Sequence, residues 1–203
     1  MPRTAVNALV TIAFVLALAG CSSGSSTSSS TVGLTAGFEG AALPANITAP
    51  AFTLTDLRGD RLSLSGYRGQ VVVLAFLYSS CGGACVVVAQ QIRGALDELA
   101  KPPPVLFVSV DPVSDTPARI ARFLAAVSLT GRVRYLTGPL ARLRAAWRAY
   151  RVVPPSSSRA NFDRSVSVLL IDRRGRERVL FQSEQLTPES LAHDIRRLQA
   201  EAS

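Results

Sequence analysis

The 203-residue chain predicts an α/β domain whose sheet contains parallel strands. Three observations carry that expectation. Residues 71–78 and 105–110 are continuous apolar runs rich in β-branched side chains, as in strands buried on both faces. Between and after them, apolar residues return at helical spacing. The chain then closes on two short strands and a helix, which predicts an antiparallel edge.

The elements follow in order. Phe52-Thr53-Leu54 and Leu62-Ser63-Leu64 alternate around Arg58-Gly59-Asp60, so a small β-hairpin is expected ahead of the sheet proper. Gly66 and Gly69 punctuate the approach to the 71–78 strand. Val88, Ile92, Leu96 and Leu99 predict a helix over 86–100, stopped by Lys101-Pro102-Pro103-Pro104. After the 105–110 strand, Thr116 suits an N-cap and Pro117 the first helical position. Ile120, Phe123, Leu124 and Val127 form that helix's apolar face. A short strand at 133–136 precedes a third helix over 139–150. Its predicted inward face is Leu140, Leu143, Ala146, Trp147 and Tyr150, and Arg142, Arg144, Arg148 and Arg151 are read as a solvated face. A loop rich in proline and serine covers 152–161. A second hairpin pairs 165–171 with 177–181 around Asp172-Arg173-Arg174-Gly175. Thr187-Pro188 opens a last helix with Leu191, Ile195 and Leu198 inward.

The N-terminus reads as a targeting segment. Arg3 precedes a short apolar run, and Leu18-Ala19-Gly20-Cys21 resembles a bacterial lipobox. Residues 1–20 are therefore expected to be a lipoprotein signal peptide, with Cys21 as the lipidation site. Residues 21–49 are expected to be a flexible tether, because Ser, Gly and Thr dominate its first part. Residues 50–203 are the expected folded domain. The predicted location is the extracytoplasmic face of the cell membrane.

The formal charge is +8, almost all of it from arginine. No nucleic-acid motif and no interleaving of basic with aromatic residues is present, so nucleic acid is not an expected partner. The arginines lie among apolar residues rather than in a tail, which favours solvated faces over a membrane-binding patch.

The chemistry centres on Cys81-Gly82-Gly83-Ala84-Cys85, at the end of the 71–78 strand and the start of a helix. Alternating α/β folds place their sites at the carboxyl ends of such strands. This order of elements, with a dithiol there, is the thioredoxin-like pattern. Cysteines four apart on a helix are close enough to be bridged. The helix N-terminus favours thiolate, so Cys81 is expected to be the exposed nucleophile and Cys85 the resolving partner. Gly82 and Gly83 leave room for another molecule to approach. The same two thiolates suit Cu(I). A closed zinc site lacks ligands, since the chain has one histidine, His193, expected on the surface. A purely structural disulfide is the third reading, although so small a loop removes little chain entropy. A peroxiredoxin pattern would want Thr or Ser at Tyr78 and Pro at Leu74.

Three blocks resemble the Sco/SenC family. They are Cys81-x3-Cys85 after Phe76-Leu77-Tyr78-Ser79-Ser80, Val110-Asp111-Pro112 with Asp115-Thr116-Pro117, and Asn161-Phe162-Asp163-Arg164-Ser165 leading into Leu169–Asp172. The resemblance implies a membrane-anchored, thioredoxin-like protein concerned with the copper centre of cytochrome c oxidase. The expected partner is then an oxidase subunit or another copper protein. It also implies copper ligation by Cys81 and Cys85 with a histidine from the third block. Here Arg164 stands in that histidine's place, Gly82 and Val86 replace the usual prolines, and arginine does not ligate metal. Arg164 beside the dithiol would instead tune Cys81 toward thiolate. The readings carried forward are a Sco/SenC-like protein handling thiols and Cu(I), a thiol-disulfide oxidoreductase without copper, and a redox or copper sensor. Asp111 and Asp115 are read as turn and cap residues, with partner docking or proton handling as the alternative.

Overall fold

The computed structural model describes residues 37–155, 162 and 165–202. The strands are β1 (Ala41–Ala42), β2 (Thr53–Asp56), β3 (Arg61–Ser63), β4 (Val72–Leu77), β5 (Val105–Ser109), β6 (Arg134–Thr137), β7 (Ser167–Ile171) and β8 (Glu177–Gln182). The helices are α1 (Gly83–Asp97), α2 (Pro117–Ala126), α3 (Leu140–Ala149) and α4 (Pro188–Ala200).

One sheet runs in the order β1-β8-β7-β4-β5-β6-β2-β3. β4, β5 and β6 are parallel, as a β-α-β-α-β run requires, and the other pairs are antiparallel. Every residue of β4 and β5 is buried, so both faces of the sheet centre are covered, as their unbroken apolar runs predict. The expected hairpin is present as β2–β3, with Leu54 opposite Leu62, and β2 extends the sheet beyond β6. Thr116 caps α2 through its side chain, which accepts from the Arg119 N–H, and Thr187 and Ser190 form a capping box on α4. α4 lies alongside α1.

Two expectations need correction. Residues 37–49, expected to be tether, belong to the folded domain. Phe38 is buried beneath the guanidinium groups of Arg178 and Arg197, whose carbons lie 5.6 and 5.2 Å from its ring centre. β1 pairs with β8, and Gly40 makes this approach feasible. A Cβ there would stand 2.5 Å from a Val179 methyl carbon and 2.8 Å from the Phe181 ring. Residues 37–49 are thus part of the domain and not tether. The second correction is Leu140, which is exposed because it opens α3 before the helix reaches the core. The whole described core lies within residues 38–198 and forms one contiguous cluster, so this stretch carries its own means of folding.

Candidate redox and thiolate site

β4 delivers the chain into Tyr78-Ser79-Ser80-Cys81, and Gly82 caps α1. The Cys81 N–H donates to the Tyr78 carbonyl at 3.1 Å, which turns the chain back toward the helix. Cys85 is the third residue of α1. Cys81 lies just before the cap rather than within the helix, yet the two Cα atoms are 5.7 Å apart and the sulfurs form a disulfide. Cys85 is fully buried and Cys81 is 6% exposed. The expected order of accessibility holds, but Cys81 is a recessed edge and not an open nucleophile. A Cβ on Gly83, two residues after Cys81, would meet open space, so no other part of the described domain crowds that side of the helix start. Val86 and Val87, the next two residues of α1 after Cys85, are exposed apolar side chains.

Asp115 is the residue whose role the sequence hid. It is 4% exposed, and three donors converge on it. Its Oδ1 accepts from the Ser79 N–H at 2.6 Å, and its Oδ2 accepts from the Ser109 hydroxyl at 2.6 Å and the Tyr135 hydroxyl at 2.7 Å. One carboxylate therefore ties the cysteine loop to the ends of β5 and β6. Burial first, and then the charge of Asp115, push the Tyr135 hydroxyl well above the usual tyrosine range. Ser109 is held from the other side by the Trp147 Nε1–H, which donates to its carbonyl at 2.9 Å. Asp111 keeps the turn role expected of it, its Oδ1 accepting from the Ser114 N–H at 3.2 Å. The signal for Asp115 lay in Ser109 and Tyr135, polar groups on otherwise apolar strands that need a buried acceptor.

The third block also reaches this place. Phe162 packs edge-on against Tyr78 with ring centres 5.5 Å apart, and the Ser165 hydroxyl donates to the Phe162 carbonyl at 2.8 Å. Arg164 and Cys21 lie outside the described residues. His193 is on the surface as expected, its side chain 47% exposed, with Nδ1 2.9 Å from Asp194 Oδ1. Asp194 itself is buried, and its oxygens accept from the N–H groups of Glu39 at 2.9 Å and Gly40 at 3.0 Å. It anchors the strand-β1 segment and takes no part in the dithiol site.

Once reduced, Cys81 and Cys85 offer two soft thiolates four residues apart, a donor set of the kind Cu(I) prefers. Among the described residues, no group of three His, Cys, Asp or Glu side chains is placed to hold a metal ion. A two-sulfur arrangement is therefore the one these residues fit.

Comparison with known proteins decides the family. The SCO1/SenC family model matches residues 40–200. This chain belongs to the SCO1/SenC family. A bovine mitochondrial SCO2 homologue is 31% identical over 134 residues, covering 61% of this chain and 50% of its own length. A Mycobacterium tuberculosis protein that carries a peroxiredoxin name is 33% identical over 102 residues, half of this chain and 62% of that one. The chain thus spans about half to three-fifths of the length of these curated relatives. Among solved structures, Bradyrhizobium japonicum ScoI with copper bound has a TM-score of 0.56 at 25% identity, covering 75% of this chain and 99% of its own. BsSco, described with a disulfide switch and as a member of the Sco family of cytochrome c oxidase assembly proteins, has a TM-score of 0.66 at 18% identity, covering 78% of this chain and 97% of its own. The α/β fold is accordingly the thioredoxin-like fold of this family, with β2–β3 as its hairpin extension.

Proposed function

We propose that this SCO1/SenC protein is a lipid-anchored, extracytoplasmic thiol and Cu(I) carrier that serves the maturation of a copper-containing respiratory oxidase. The observation that carries the reading is the Cys81–Cys85 disulfide at the start of α1, with only Cys81 reaching solvent. In the dithiol form, the Cys81 thiolate attacks a disulfide sulfur of the client and releases one client thiolate. Cys85 then attacks the Cys81 sulfur, releases the second client thiol and closes the disulfide. The pair gives two electrons to the client, and a dithiol reductant of the same compartment returns them. The reduced client cysteines, like the reduced carrier, are Cu(I) ligands, so thiol reduction and Cu(I) transfer share one site. The copper-bound ScoI and the disulfide switch of BsSco support the two halves of this reading.

Anaerobic titration with Cu(I) in competition with a soft-metal chelator tests it. The reduced chain is expected to take up about one equivalent through its two thiolates, and the oxidised chain and a Cys81→Ser, Cys85→Ser variant none. Equal uptake by reduced and oxidised chains, or no uptake by either, removes copper from the proposal.

A second reading, a thiol-disulfide oxidoreductase with no copper role, is favoured by two observations. Arg164 stands where the family places its histidine, and no three-ligand group exists among the described residues. Reduction of disulfide clients with no Cu(I) uptake would select it. A redox or copper sensor would change its affinity for a partner with redox state and turn nothing over.

A further inference from the structure

The turn between β7 and β8 and the start of β8 carry four arginines, which the fold sets against the C-terminal end of α4. Arg173, Arg174, Arg176 and Arg178 line a cleft of about 240 Å³ together with Asp172, Glu201 and Ala45. Arg178 is neutralised there, donating to Glu201 Oε2 at 2.5 Å and Oε1 at 2.8 Å and to Asp172 Oδ2 at 3.3 Å. The other three guanidinium groups reach main-chain carbonyls, Arg173 that of Glu201, Arg174 that of Ala202 and Arg176 that of Ala45. Among the described residues, no carboxylate pairs with Arg174 or Arg176. Arg68, from the segment before β4, is exposed and lies over Gly175, where even a Cβ would collide with its guanidinium.

The position of this cleft matters as much as its charge. The arginine turn follows Ile171, which pairs with Val72 at the start of β4, while Cys81 follows the other end of β4. The length of β4, about 20 Å at roughly 3.3 Å per residue, therefore separates the basic end from the dithiol. The described chain begins at the basic end. Gly37 lies against the Arg197 guanidinium, 3.2 Å from where its Cβ would be, and Phe38 lies beneath Arg178 and Arg197. Thirty-six residues of chain precede that point.

We propose that this arginine-lined end is the face the domain sets on an anionic phospholipid surface, with a headgroup phosphate entering the cleft beside Arg173, Arg174 and Arg176. Guanidinium groups pair with phosphate in a fork geometry, and an anionic leaflet attracts each such charge within a Debye length. Docked in this way, the domain turns Cys81 away from the lipid, where a client can reach it. The proposal rests on the anchor reading for the nearness of a membrane, but its charge and geometry belong to the domain alone.

The test uses residues 37–203, which hold the whole described core. The fragment is floated with pure phosphatidylcholine vesicles and with vesicles mixed with phosphatidylglycerol. Binding is expected to the mixed vesicles alone and to weaken as salt rises. The R173Q/R174Q/R176Q triple is expected to weaken it by about tenfold or more. The matched R142Q/R144Q/R148Q triple on exposed α3 is expected to leave it unchanged. Each variant is first required to keep the parent's melting midpoint. Should the glutamine triple fail that check, the lysine triple at the same positions replaces it and is expected to retain binding. Equal weakening by the two glutamine triples would show that net charge alone is read and would overturn the proposal. Failure to bind mixed vesicles at low salt would overturn it too, and so would capture of inorganic phosphate with no vesicle binding. The mass of mature Cys21 tests the anchor separately, so loss of that reading leaves the vesicle result standing.

Discussion

The Asp115 carboxylate accepts a 2.6 Å hydrogen bond from the backbone N–H of Ser79, two residues before Cys81. The same carboxylate holds the Ser109 and Tyr135 hydroxyls. The loop that presents the dithiol is thereby fixed to the sheet by a buried negative charge rather than by apolar packing alone. Hydrogen bonds to a charged acceptor are among the stronger ones a protein makes.

Asp115→Ala leaves three donors, two of them buried hydroxyls, without their acceptor. It is expected to destabilise the domain by about 3 kcal/mol or more, read from urea unfolding at neutral pH. Asp115→Asn keeps the shape and one acceptor, and its loss is expected to be about half as large. A loss within experimental error for Asp115→Ala would show that the loop is held by other contacts.

Tyrosine ionisation gives a pH test. Burial raises Tyr135 and Tyr150, with Asp115 adding to the first and Glu177 to the second. A tyrosine whose folded value is raised contributes stability that is fully present below its unfolded value, about pH 10. That stability is lost as the pH rises past it, because the unfolded chain ionises first. Alkaline titration followed by tyrosinate absorbance should therefore show these two rings ionising only with loss of the folded circular dichroism signal. Their ionisation near pH 10 in a chain that stays folded would contradict this burial.

Asp194→Ala removes the acceptor for the Glu39 and Gly40 N–H groups. The expected cost is about 2–4 kcal/mol, with the loss of hydrogen-exchange protection concentrated in the β1 segment. Thiol chemistry at Cys81 should be unchanged, because Asp194 takes no part in the dithiol site.

Cys85→Ser leaves the attacking sulfur and removes the resolving one. It is expected to accumulate a stable mixed disulfide with a model disulfide substrate, detected by intact mass. Cys81→Ser should trap far less, since Cys85 is fully buried. The reverse ranking would exchange the assigned roles.

The sequence made the central strands legible because a strand buried on both faces has to be apolar throughout, as β4 and β5 are. The caps at Thr116 and Thr187 were legible because capping is local chemistry. Residues 37–49 were not, because their order comes from distant partners. Gly40 fits beneath Val179 and Phe181, and Asp194 accepts from a segment some 155 residues upstream. The i, i+3, i+4, i+7 stripe Leu191, Asp194, Ile195 and Leu198 did hold the clue that this aspartate faces inward. The pairing of Cys81 with Cys85 was legible from their spacing and their place between a buried strand and a helix, but Asp115 required β4, β5 and β6 to be brought together. The 173–178 arginines were visible only as a hairpin turn, because the cleft they line is completed by Ala45, Leu198 and Glu201 from distant segments.

The central claim is that the Cys81–Cys85 bond is a working redox couple and not a structural brace. Equilibration of the full chain with thiol-disulfide buffers, read by alkylation of the released cysteines, measures its reduction potential directly. A working couple is expected to have a potential above roughly −300 mV and to pass electrons reversibly to a disulfide client. A potential well below that value, with no exchange with any disulfide client, would contradict it.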